Sequence, residues 1–451
     1  MMSLLKKTLM IVRKAMPAGF GPLATVSIIA MVCGLLRETS VAYYFGAGFE
    51  LDMFLVAFTV PQFLVSQITI ITVAVVLPRY VALMEQEGQV AAGALLAKWF
   101  WFETLFVFLF CFLCYMFAED VISVLAPGLS AEQVLRAGSL MRWLLMFVFL
   151  LYATGCMKVV LETHGNFVIP AFQGPLISIT VISSCFLFAG NTGVTALVIG
   201  FASGAAIAAL LQFGAARKYE PSWPCVGYHR IVGARLPLSN AMWMVAVSMT
   251  GQMTVMVDRY FASSLPPGSI SSLNYAEALI AVPVNVLAAS LATTLFPVMS
   301  RKAANAQATE AYELLKRWML RSVVAAGLLA VTIFLFRHDI VRIMFERGKF
   351  DEADVMTTAG VLGVLSMMLV ASTVSSLLSK FLEACQLYRV IAMTGLAMFS
   401  VKLVFSFWLV HWYGIEGLAL ASVLAALLVI LIRYVIARSF VGSLAIGRMN
   451  N

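Results

Sequence analysis

Long apolar runs, separated by short polar stretches, fill this chain from residue 18 to residue 438. Runs long enough to cross a bilayer fall at 18–38, 51–78, 99–118, 138–162, 167–189, 193–215, 236–262, 272–299, 319–336, 357–384, 389–411 and 416–438. A membrane-crossing helix needs about 20 mostly apolar residues, so the pattern predicts twelve spans. Helix is the structure they must take, because a lipid-facing backbone has to satisfy its own hydrogen bonds. The short alternating strands of a barrel are absent.

The pattern also repeats. Arg37, Gly46, Leu51, Asp52 and Pro61 match Arg259, Gly268, Leu273, Asn274 and Pro283 at a shift of 222. Three residues then drop out. Pro78, Trp99 and the Phe117–Asp120 pair match Pro297, Trp318 and the Phe336–Asp339 pair at 219, and Lys158 matches Lys380 at 222. Each copy holds six spans. An even number inserts both copies the same way up, so the repeat is parallel, about an axis along the membrane normal. The predicted fold is an all-α polytopic membrane protein with twelve transmembrane helices in two six-helix lobes related by a pseudo-two-fold repeat. Its parts are an amphipathic interfacial segment at 1–17, an N-lobe at 18–215, a cytoplasmic linker at 216–235, a C-lobe at 236–438 and a cytoplasmic tail at 439–451. Pro61 and Pro283 lie inside spans 2 and 8, where each removes a backbone hydrogen bond and predicts a shared bend.

Composition agrees: 62% of the 451 residues are hydrophobic and 12% charged, against about 25% charged in soluble domains. The net charge of +8 reads as topology, not as affinity for nucleic acid. With the N-terminus inside, twenty-one of the thirty lysines and arginines fall in or beside cytoplasmic segments, and the C-terminus is inside too. Lys6, Lys7, Arg13 and Lys14 alternate with leucine and isoleucine, as in a helix lying on anionic lipid. The seven cysteines fall mostly within spans and read as small buried hydrophobes. The polar segment 337–354 reads as a short surface helix. No Walker motif, dinucleotide loop or HExxH is present, so neither an enzyme nor a cofactor or metal site is expected.

The remaining charges are the candidate chemistry. A charge at mid-membrane costs about 2.5–3.5 kcal/mol and needs a partner or water. Arg37 and Glu38 end span 1, Asp52 begins span 2, and Asp258 and Arg259 lie late in span 7; neighbouring acid and base predict partial pairing within each half. Asp52, Thr59, Gln62, Ser66 and Thr69 share one helical face, as do Asn274, Glu277, Ala281 and Asn285 on span 8. Such stripes either join helices or line a polar cavity between the halves. Lys158 and Lys380, near the cytoplasmic ends of spans 4 and 10, either snorkel or meet an anionic head group. Lys402, inside span 11 without a repeat partner, is a functional candidate for needing an acid or water.

The stretch from Arg37-Glu38 through Phe45-Gly46 and Leu51-Asp52 to Pro61 resembles the signature of the MurJ (MviN) lipid II flippase family of the MOP exporter superfamily. Asp258-Arg259, the run Ser271 to Glu277, Leu295-Phe296-Pro297 and Phe345-Glu346-Arg347-Gly348-Lys349-Phe350 are similar to it as well. The resemblance implies two lobes alternating access to move a polyprenyl-diphosphate-linked saccharide outward across the bacterial inner membrane. It implies Arg37 as a cavity cation and Asp52 as its companion on span 2. Where the family carries further cavity arginines, this chain has Met31, Val65 and Ala278; where it carries glutamates, Ile70 and Ala281. The family often has two more C-terminal helices that bind lipid tails, and this chain is expected to stop at twelve. The implied substrate is therefore lipid II or an exopolysaccharide precursor, with Na+ or H+ as a possible coupling ion. A cation-coupled exporter of small amphipathic molecules, relying on Asp52, Glu38 or Glu277, and a transport-inactive scaffold remain as alternatives.

Overall fold

The computed structural model describes residues 20–220, 238–304 and 308–449. The predicted interfacial segment and most of the predicted linker lie outside them. The described chain is helical: α1 Phe20–Phe45, α2 Phe49–Gln86, α3 Gln89–Met116, α4 Ala118–Leu125, α5 Ala131–Thr163, α6 Val168–Ala171, α7 Gln173–Thr192 and α8 Thr195–Ala216 form the first lobe. α9 Leu238–Ala262, α10 Ser269–Ala304, α11 Ala308–Leu335, α12 Arg337–Phe345, α13 Glu352–Ala384 and α14 Tyr388–Met449 form the second. α14 breaks at Gly414 into two arms. Among the described residues ten helices are long and apolar enough to cross a membrane. Counting both arms of α14, and adding the 25-residue α9, gives the twelve expected. Residues 439–449 continue α14 as helix.

The repeat governs the packing. α2 packs most heavily on α5, and its counterpart α10 on α13. α1 lies against α7 as α9 lies against α14. α2 holds Pro61 and Pro78, and α10 holds Pro283 and Pro297 at the matching places. The matched segments Phe117–Asp120 and Phe336–Asp339 begin the short helices α4 and α12.

The buried apolar residues form one shared core and two private ones. At the end of the bundle where α1 joins α2 and α9 joins α10, one cluster spans both lobes, from Leu51, Phe54 and Met141 to Tyr275, Phe345 and Phe350. At the opposite end the lobes have separate cores. Val76, Tyr80, Leu96 and Val160 belong to the first, and Leu295, Met299, Tyr312 and Phe381 to the second. Among the described residues, the apolar core shared by the lobes lies at one end.

Two glycines permit that joint. Gly46 and Gly268, repeat partners, take φ of +63° and +89°, a region that costs other residues about 1–2 kcal/mol. A Cβ on Gly46 would press on the Lys349 carbonyl, and one on Gly268 on the Ala47 carbonyl, each from the other lobe. Gly268→Ala is expected to lower stability in thermal unfolding by about 1–2 kcal/mol from backbone strain alone. Gly327→Ala, whose Cβ would meet nothing, should be neutral or slightly stabilising.

Candidate functional site

A cavity of about 530 Å³ lies between the lobes, just inside the joined end. Arg37 and Glu38 reach it from α1, and Thr59, Gln62, Ser66 and Thr69 from α2. Gln252 and Arg259 come from α9 and Asn274 from α10. The helical spacing of the α2 stripe places four of its five members on this wall. Phe54, Phe58, Phe147 and Phe201 supply an aromatic side, with Phe58 and Phe201 centroids 4.6 Å apart.

Arg37 and its repeat partner Arg259 face this one cavity from opposite lobes. Arg37 donates to Glu38 Oε1 at 2.7 Å and lies over the Phe201 ring at 5.6 Å. Arg259 is 5% exposed. Among the described residues its side-chain hydrogen bonds, to the Ile270 carbonyl and Asn274 Oδ1, are both 3.4 Å long, and its Nε has no partner there. Asn274 Nδ2 approaches Glu38 Oε2 at 3.5 Å. A polar chain Arg37–Glu38–Asn274–Arg259 therefore crosses between the lobes. Contacts of 3.4–3.5 Å are weak hydrogen bonds, so the Arg259 guanidinium keeps most of its donor capacity for an incoming acceptor.

Asp52 is not in this cavity. It is buried at the joint, where its carboxylate accepts the Gly268 N–H at 2.6 Å, the Ser271 N–H at 2.7 Å and the Ser271 hydroxyl. It therefore caps the N-terminus of α10 from the other lobe, where backbone N–H groups lack helical partners. Asp354 does the reverse, accepting the Ala47 N–H at 2.9 Å beside the start of α2. The Tyr275 hydroxyl donates to the Gly46 carbonyl at 3.1 Å, and the Lys349 N–H to the Tyr43 carbonyl at 2.9 Å. Sequence spacing put Asp52 on the polar stripe but could not show that its oxygens are occupied.

The expected pairing of Asp258 with its neighbour Arg259 is corrected. Asp258 turns into the second lobe, toward Lys402. There it accepts from Lys402 Nζ at 2.5 Å, with both side chains buried; Lys402 also donates to the Thr254 carbonyl. Lys402 thus finds the acid it requires, away from the cavity. Glu277 is half-buried, within electrostatic reach of Asp258, Arg259 and Lys402, and does not line the cavity. Lys158 and Lys380 do not line it either: Lys158 lies 3.7 Å from Glu162 and Lys380 2.7 Å from Glu383, each on its own helix. Val65 and Ile70 do line it.

Three buried charges escaped the sequence reading: Arg433, Glu103 and Glu220, the last accepting the Tyr80 hydroxyl at 2.6 Å. Arg433 is held by the Ser375, Ser379 and Thr394 hydroxyls at 2.7–2.9 Å; near the end of its run, it reads as a boundary cation. Glu103 is buried within α3; a scan for every carboxylate inside a span finds it.

Two parallel six-helix lobes around a polar cavity are a fold shared with solved transporters of the MOP superfamily. A multidrug-resistance MATE family transporter of that superfamily in an inward-facing conformation aligns with TM-score 0.66 and 12% identity, over 95% of this chain and 96% of that one. Lipid II flippase MurJ in an inward closed conformation aligns with TM-score 0.76 and 21% identity, over 92% and 87%. The chain belongs to the lipid II flippase MurJ family, whose model matches residues 41–448. A probable lipid II flippase MurJ from Buchnera aphidicola subsp. Acyrthosiphon pisum is 25% identical over 415 residues, 89% of this chain and 80% of that protein. The lipid II flippase MurJ of Burkholderia cenocepacia is 26% identical over 420 residues, with the same coverage.

Two outcomes follow from the site. Asp52→Asn weakens the acceptor of three donors and should favour the state open at the joint by about 1.5–3 kcal/mol. Increased labelling of a cysteine introduced at Ala47 measures it. Lys402→Met leaves Asp258 buried and uncompensated and should lower stability by about 3–5 kcal/mol. The double variant Lys402→Met/Asp258→Asn should recover much of that in the same thermal unfolding measurement.

Proposed function

We propose that this protein is a flippase that moves a polyprenyl-diphosphate-linked saccharide, lipid II or an exopolysaccharide precursor, from the inner to the outer leaflet of the bacterial inner membrane by alternating access. One observation carries the reading: repeat-related Arg37 and Arg259 face a single inter-lobe cavity, and Arg259 has donors to spare.

The physics of the cargo fits. Each sugar hydroxyl costs several kcal/mol to strip of water without a replacement hydrogen bond. Gln62, Ser66, Thr69, Gln252 and Asn274 offer replacements along the wall. A diphosphate carries about two negative charges and needs guanidinium groups, which bind phosphate oxygens in pairs. Moving it outward through an inside-negative potential of about 100 mV releases roughly 4–5 kcal/mol, so the field itself favours export. A small organic cation would instead meet two guanidinium groups, only one of them paired to a carboxylate. That weighs against the drug-exporter reading.

Alternation needs a joint that can open. The joined end rests on Asp52, Asp354, Tyr275 and the shared core. With both termini in the cytoplasm this end is periplasmic, and the end with private cores faces the cytoplasm. The cavity then receives the head group from inside, and breaking the Asp52 and Asp354 bonds releases it outside. Lys158 and Lys380, near the cytoplasmic ends of α5 and α13, flank the approach, and each exchanges its glutamate for a phosphate only as cargo arrives.

Arg37→Ala and Arg259→Ala should each leave the protein inserted and folded. Each should abolish rescue of a depleted strain and leave lipid-linked precursor on the inner leaflet, scored by its protection from an impermeant reagent. Full rescue by both variants would refute the reading.

A further inference from the structure

A second polar site lies in the first lobe, outside the cavity. Glu103, midway along α3, is 5% exposed. Its Oε1 accepts the Thr72 hydroxyl from α2, and its Oε2 the Cys156 thiol from α5 at 3.5 Å. The Trp99 indole, one turn earlier on α3, donates to Thr72 Oγ1 at 3.2 Å. The titratable groups facing Glu103 are Cys156 and Tyr152, both on α5; α2 presents only the Thr72 hydroxyl. No lysine, arginine or histidine pairs with it among the described residues.

The lack of a cation partner sets it apart from Asp258 and Asp52. Asp258 has Lys402, and Asp52 has three donors with Arg259 nearby. A carboxylate ionised there, with a hydroxyl, a thiol and the Trp99 indole for donors and no cation paired to it, is under-compensated inside a membrane span. The neutral acid suits the site, since it can donate as well as accept.

We propose that Glu103 is a proton-binding site whose protonation state sets the position of α2 and couples proton movement to the transport cycle. The site stands on the geometry of α2, α3 and α5; its link to transport rests on the flippase reading. Thr72 lies on the face of α2 toward Glu103, one turn from Thr69 on the cavity wall. Pro61 and Pro78 bracket it, and each interrupts the helix hydrogen bonds. With the proton bound, α2, α3 and α5 close on a dry, neutral contact. When the O–H bond breaks and the proton passes to water, the remaining carboxylate needs hydration. The contact must then open, moving α2 and with it the cavity wall. Reprotonation reverses the step, and no other bond changes.

The test uses the full-length protein in lipid nanodiscs and in proteoliposomes. Infrared difference spectra of wild type against Glu103→Gln should show a protonated-carboxyl band that persists at neutral pH and is absent from the variant. Absence of such a band in the wild type would overturn the proton site. In flipping assays the wild-type rate should change by up to about tenfold per pH unit on the limb where the group titrates. Glu103→Gln should flatten that dependence, and Glu103→Asp, which keeps an acid, should retain it at a shifted pH. A Glu103→Gln profile matching the wild type would overturn the coupling. Should Glu103→Gln fail to fold, Thr72→Val, which removes the hydroxyl tie, replaces it and should shift the profile; an unshifted profile overturns the proposal. A wild type that flips no lipid-linked saccharide removes the flippase reading, and the infrared band then decides the proton site alone.

Discussion

The unequal contact between the two lobes governs everything else in this molecule. At one end they share a single apolar core, and two carboxylates reach across to backbone N–H groups of the opposite lobe. At the other end each lobe has its own core. Burial contributes most of the stability at the shared end, since each buried aromatic or aliphatic side chain is worth about 1.5–3 kcal/mol. The carboxylates supply direction and register. Asp52 and Asp354 each meet orphan N–H groups at or beside a helix start, where the backbone dipole favours an anion. Such contacts exist or do not exist, which suits a joint that opens and closes over one that deforms gradually.

The cavity sits immediately behind this joint, and its electrostatics depend on where the neighbouring charges are spent. Asp258 could neutralise Arg259 but is taken by Lys402. Asp52 could do the same but is occupied by Gly268 and Ser271. The result is a guanidinium buried beside a polar cavity with donors unused. Arg37 is restrained more firmly by Glu38 and by the face of Phe201. The repeat-related arginines are thus not equivalent: one is pre-paired and one waits.

The structure also separates two kinds of buried polar group. Lys402–Asp258 and Arg433 with its three hydroxyls tie helices together inside the second lobe. Polar groups in membranes commonly serve this purpose. Glu103 in the first lobe is tied less well. The lobes share a fold but differ in how their buried charges are satisfied, so they need not respond alike to pH or to cargo.

The sequence by itself determined the helices, their number, the parallel repeat and the polar face of α2, because periodicity, hydropathy and the 222-residue spacing are local or translational properties. It also marked Arg37 and Arg259 as matched, and both line the one cavity. What only the tertiary structure decided is which partner each charge meets. Asp258 sits beside Arg259 in the chain yet bonds Lys402, 144 residues away. Asp52 lies on the cavity helix yet bonds residues 216 and 219 positions distant. Helical geometry fixes the direction in which a side chain leaves its own helix. Which neighbour stands there depends on how the lobes pack, and no period within one segment encodes that.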